Sequence, residues 1–146
     1  MKKWEEYKSM DEAIDDYIEK MKAYGKNLTR TQARKEIPKK IPLETVYQDK
    51  ILKYLKSLPE CIEAWKENKG TYSSKNGTPD ITAVMTGGIY YGFEVKRPLV
   101  GKLSDLQEQF INKMIAAGGH AYEVITVEDV RKILRDNCIL KEDLDK

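Results

Sequence analysis

The chain has 146 residues, 34% of them charged, with 26 Lys and Arg against 24 Asp and Glu for a net charge of +2. That length suits one compact domain with a real core. The negative mean hydropathy of −0.64 and the lack of any apolar run near the roughly 20 residues a bilayer demands exclude a membrane-spanning helix. Met1 to Glu6 carries no apolar signal-peptide stretch, so a cytoplasmic protein of a bacterium or phage-infected cell is expected. Cys61 and Cys138 have no metal-type spacing and read as two free thiols; the single histidine, His120, reads as a strand-start residue rather than a ligand.

In chain order, Met10 to Tyr24 places Ile14, Tyr17, Ile18 and Met21 at threes and fours, which predicts an amphipathic helix capped by Ser9 and Glu12 and stopped at Gly25. Asn27 to Ile37 predicts a short basic helix, and Pro38 to Pro42 a linker. Residues 1–40 are therefore expected to form a helical extension ahead of a main domain over 41–146. A helix is predicted over 43–58, a strand near Ile62 to Lys66, a polar loop over 67–79, strands over 80–86 and 89–97, a helix over 105–117, a strand over 120–125 and a helix over 127–136. This order predicts an α/β fold.

Gly87 and Gly88 signal a hairpin. If they alone form its loop, Ile81 faces Glu94, and Asp80 lies within about one residue of Glu94 across strands about 5 Å apart. Glu94 and Lys96 are two apart and leave one face. Two neighbouring carboxylates repel each other, and a divalent cation removes that penalty. With an amine beside them, they make the kind of centre that hydrolyses phosphodiesters. The competing reading is a turn cap at Asp80 and a surface ion pair at Glu94 and Lys96. Against it, Glu94 sits between Phe93 and Val95 in an apolar strand.

Pro79-Asp80, a hairpin, then Glu94-Val95-Lys96 resembles the PD-(D/E)XK nuclease superfamily and, more narrowly, its VRR-NUC group. The segment from Leu43 to Leu55 is similar to that family's opening helix, with Glu44 in the position of its acid; Leu103 to Phe110 is similar to the helix whose glutamine, here Gln107, lies near the centre; Gly118 to Val130 is similar to the closing strand and helix. The resemblance covers roughly residues 40 to 136. It implies a restriction-endonuclease-like sandwich, a mixed β-sheet flanked by helices, in a Mg²⁺- or Mn²⁺-dependent endonuclease acting on DNA, with roles in phage biology or DNA repair. It implies metal ligation by Asp80, Glu94 and the Val95 carbonyl, with Glu44 as an additional ligand, and catalytic roles for Lys96, Glu44 and Gln107. A non-catalytic DNA-binding protein on the same scaffold and a dimeric, Holliday-junction-resolvase-like enzyme are the alternatives; a homodimer is expected.

Glu44 and Gln107 also have structural readings, as a helix-dipole acid and as the partner of Ser104 in a capping box. Residues 26 to 56 hold nine Lys and Arg against Glu36, Glu44 and Asp49. That block suggests a polyanion footprint. Lys39, Lys40 and Lys50 within it, Lys69 and Lys75 in the loop before Asp80, and Arg97 and Lys102 after the hairpin are the candidate nucleic-acid contacts.

Overall fold

The computed structural model describes residues 1–67 and 77–141. Most of the 67–79 loop, with Lys69 and Lys75, lies outside the described residues. The chain divides into two compact units, one of Met1–Leu43 with Arg97–Gly101, the other of Glu44–Lys96 with Lys102–Lys146.

In the first unit, a 3₁₀ turn at Trp4–Glu6 precedes α1 (Met10–Ala23) and α2 (Arg30–Lys40). Ser9 caps α1 by accepting the Glu12 N–H at 3.2 Å. Thr29 and Gln32 form a reciprocal capping box on α2. Tyr7, Ala13, Ile14 and Tyr17 bury themselves against Ala33, Ile37 and Ile41, joined by Leu99 and Val100. The helices are also laced by charge: Arg30 pairs with Asp11 and Asp15, Arg34 with Asp11, and Lys26 with Glu36. These exposed pairs contribute little stability, yet they engage three of the nine cations in the basic block. Lys39 and Lys40 stay exposed.

The expected linker at Pro38 is instead the last turn of α2, closed by Ile41 N–H on the Ile37 carbonyl at 3.1 Å. Arg97 explains how a helix survives there. Its Nη2 donates to the carbonyls of Pro38 (2.6 Å) and Ile41 (2.7 Å), and its Nε to that of Pro42 (2.9 Å). A cation on the exposed carbonyls of a helix C-terminus satisfies orphan acceptors and complements the dipole. The guanidinium proposed from sequence as a phosphate contact is thus bonded within the fold. Arg97→Ala is expected to lower unfolding free energy by about 3 kcal/mol in urea titrations. Arg97→Lys should recover little, because an ammonium cannot reproduce the planar fork despite keeping the charge.

In the second unit, α3 (Glu44–Ser57) leads to β1 (Cys61–Lys66), β2 (Ile81–Met85), β3 (Ile89–Val95), α4 (Asp105–Ala116), β4 (Ala121–Val124) and α5 (Val127–Asp136). The sheet order is β1-β2-β3-β4; the first three strands are antiparallel, and β4 runs parallel to β3. A parallel return requires a crossover, which α4 supplies. Strand alternation sorts the two faces. Ile81, Ala83, Met85, Tyr91, Phe93, Val95 and Val124 join Tyr47, Ile51 and Leu55 of α3 and Val130 and Leu134 of α5 in the core. The opposite face carries Trp65, Thr82, Gly92, Glu94 and Lys96.

Candidate active site

The hairpin loop has three residues, Thr86, Gly87 and Gly88, not two, so Met85 pairs with Ile89 and Ile81 with Phe93. Both glycines take positive φ, 91° and 75°, and Gly88 N–H closes the turn on the Met85 carbonyl at 2.9 Å. The one-residue shift has a chemical consequence. Continuing the observed register by one step sets Asp80 directly opposite Glu94.

Gly92 makes room for this arrangement. A Cβ there would lie 2.6 Å from Pro79 Cγ, so Pro79 packs across β3 only because position 92 has no side chain. Asp80 follows at once. Its Oδ2 accepts the Val95 N–H at 2.8 Å. Gly92 and Lys96 donate their N–H groups to His120 and Val124 carbonyls toward β4. By strand alternation, Val95 therefore turns its N–H and its carbonyl toward the Asp80 side, just past the start of β2.

Glu94 is 1% exposed, Asp80 6% and Lys96 9%. Lys96 Nζ lies 3.5 Å from Glu94 Oε1, and Gln107 Nε2 donates to the same oxygen at 2.7 Å. Two carboxylates and one ammonium thus share a nearly dry region. Ionised groups this buried are held only where charge and hydrogen bonds compensate them; an ion pair on a solvated face does not describe these residues.

Gln107 closes the capping box at the start of α4 and also reaches Glu94. Its Oε1 accepts the Ser104 N–H at 2.9 Å while Ser104 Oγ accepts the Gln107 N–H at 3.2 Å. Its Nε2 is then the end that reaches Glu94, the only orientation that gives each atom a complementary partner. Gly77 sets the neighbouring contact: with φ +87°, it approaches the Leu106 carbonyl so closely that a Cβ would lie 2.5 Å from that oxygen. Gln107→Ala removes one cap bond and one bond to a carboxylate, and should cost about 2–3 kcal/mol in urea unfolding.

Glu44 opens α3, where its Oε1 accepts Gln48 Nε2 at 3.3 Å. Lys50 and Lys102 are exposed. Among the described residues, no three His, Cys, Asp or Glu side chains converge as for a metal held wholly by side chains. His120 stacks on Tyr91 with centroids 4.2 Å apart, and its Nδ1 meets the Tyr122 hydroxyl at 2.9 Å.

Sequence reading missed a network on the same face. Trp65 Nε1 donates to Glu67 Oε1 at 2.9 Å, the Thr82 hydroxyl donates to that oxygen at 3.0 Å, and the Tyr90 hydroxyl bonds to Thr82. Burial raises the Tyr90 pKa above its ordinary value. Glu67 N–H also donates to the Asp80 carbonyl at 2.8 Å. The alternation of Trp65 and Glu67 was the available signal.

No family model matches the sequence, and no curated protein matches it. A solved structure described as a VRR_NUC domain is similar to this chain at a TM-score of 0.50 and 20% identity, over 63% of this chain and 94% of that one. The likeness establishes the fold: a mixed sheet with flanking helices, as in a VRR_NUC domain. No helix among the described residues is long and apolar enough to cross a membrane.

Proposed function

We propose that this chain is a Mg²⁺- or Mn²⁺-dependent endonuclease that hydrolyses DNA phosphodiester bonds at the end of the β2–β3 hairpin. The observation that carries the reading is the opposition of two buried carboxylates, Asp80 and Glu94, with Lys96 beside Glu94. The donor set fits a hard divalent cation. It is oxygen only, and two carboxylates with the Val95 carbonyl leave room for the several waters that Mg²⁺ keeps. Asp80, Glu94 and the Val95 carbonyl would hold the ion, and Glu44, which among the described residues does not converge with the two acids as a third carboxylate ligand, would act on a water. When bound, such an ion supplies polarisation of the phosphate, a more acidic water and charge compensation in the transition state.

The chain's own groups do the rest. The Val95 N–H fixes the Asp80 carboxylate, and Gln107 fixes Glu94. Lys96 brings a positive donor to the reacting phosphate, where it orients water and stabilises developing negative charge. Exposed Lys39, Lys40, Lys50 and Lys102, with Lys69 and Lys75 from the loop, contribute backbone contacts to DNA.

The test is cleavage of supercoiled, branched and flap DNA in Mg²⁺ or Mn²⁺, with chelator as control and Lys96→Ala in parallel. Wild type is expected to cut at least one substrate only with metal, and the variant to lose that activity. Inertness on all three substrates, or undiminished cleavage by Lys96→Ala, would falsify the reading. Paired symmetric nicks on the branched substrate, with a dimer in solution, would identify the resolvase form, since two cuts need two sites related by a twofold axis.

A further inference from the structure

Trp65 lies on β1, an edge strand, in register with Thr82 and therefore on the acid-bearing face, one pleat from Asp80. Strand spacings put the Trp65 and Asp80 Cα atoms roughly 8 Å apart. The residue is 40% exposed, and among the described residues no other ring packs on it. Trp4, by contrast, packs against Tyr7 and Tyr17. An exposed indole ordinarily gives its N–H to water. Here the N–H is held by Glu67 Oε1, which the Thr82 hydroxyl also binds. The backbone of Glu67 is in turn bonded to Asp80. The ring's polar edge is thus tied to the strand that carries the acid, while much of its surface stays in solvent. Holding an aromatic ring in place before anything binds lowers the ordering cost of a later contact.

We propose that Trp65 is a stacking platform for an unpaired base of the strand whose phosphate is cleaved at Asp80 and Glu94. The proposal rests on the nuclease reading and deepens it. The substrate class is single-stranded or locally opened nucleic acid, because a paired base inside a duplex presents no free face to the ring. Base–aromatic stacking tolerates any sequence and is strong enough to decide which strand is retained.

Trp4 and Trp65 are the chain's two tryptophans, so Trp4→Phe leaves Trp65 as the sole indole emitter. In chelator, to prevent cutting, that protein is titrated with a single-stranded deoxyoligonucleotide, the same strand with several abasic positions, and a blunt duplex. Saturable quenching by the single strand that is lost with the abasic strand and weak with the duplex is the expected result. Trp65→Ala should weaken single-strand affinity, by anisotropy of a labelled strand, roughly 5- to 150-fold, with Trp65→Phe recovering much of it. In metal, Trp65→Ala should raise KM with kcat retained. Equal quenching by the abasic strand, or unchanged affinity of a folded Trp65→Ala protein, overturns the proposal. Metal-dependent cleavage without base-dependent quenching overturns the platform alone and leaves the nuclease. Base-dependent quenching without any cleavage overturns the nuclease and keeps Trp65 as a binding residue.

Discussion

Asp80→Asn is expected to reduce cleavage by about a thousandfold or more while leaving the protein folded. The carboxylate has two roles, and the substitution separates them. As an acceptor, Oδ2 takes the buried Val95 N–H. Truncation to alanine would orphan that donor and cost about 1–3 kcal/mol of stability. Asparagine keeps an acceptor oxygen of nearly the same shape, so the hairpin end should persist. As an anion, Asp80 supplies half of the carboxylate charge opposed across β2 and β3, and a neutral amide holds a divalent cation far less tightly. A thousandfold corresponds to about 4 kcal/mol, within the several kcal/mol that metal-assisted charge stabilisation supplies. Calorimetry with Mn²⁺ provides a readout independent of turnover: wild type should bind and Asp80→Asn should not. Retention of both binding and cleavage in the asparagine variant would remove Asp80 from the centre.

Gly92→Ala is the second large effect, and it acts without touching a charged group. The new Cβ would meet Pro79 Cγ at 2.6 Å and the Tyr90 hydroxyl at 2.8 Å. Tyr90 can swing its tip, whereas a proline ring can yield only by a change of pucker before its backbone must move. The displaced residue directly precedes Asp80, so the carboxylate moves with it. Overpacking of this kind costs about 1–3 kcal/mol, and misplacing a reacting group by about 1 Å lowers rate about a hundredfold. The pair Pro79→Ala, Gly92→Ala removes the ring that clashes, and both stability and cleavage should partly recover, a coupling that a double-mutant cycle measures. Strict additivity of the two substitutions would show that ring and glycine act separately.

Local chemistry was legible in the sequence where it stays local. The caps at Ser9 and Ser104 bind backbone within three residues, and Gly87 and Gly88 mark the turn through their positive φ. The opposition of Asp80 and Glu94 followed to within one residue because a hairpin folds on its own sequence. Thr86 joined the loop because two glycines at positive φ make a three-residue connection here, which composition does not distinguish from a two-residue one. The continuation of α2 through Pro38 was not legible. It is bonded by Arg97, 59 residues away, and no local pattern encodes a partner at that separation. Arg97–Gly101 likewise clusters with the first helices across a long stretch of chain. Gln107 was legible as a cap; its second bond, to Glu94, needed the crossover that returns α4 over the sheet.

That second bond makes the amide of Gln107 a shared member of two equilibria. One end completes the first turn of α4, and the other completes the environment of Glu94. Whatever alters the charge that Glu94 presents must alter how firmly Nε2 is held, and hence how often the Ser104 amide opens to solvent. Linkage makes the relation reciprocal: an occupant of the acid pair tightens the helix start, and fraying of the helix start loosens the occupant. A turn of helix at the molecule's surface thereby becomes a gauge of the buried pair, readable from the exchange of a single backbone proton.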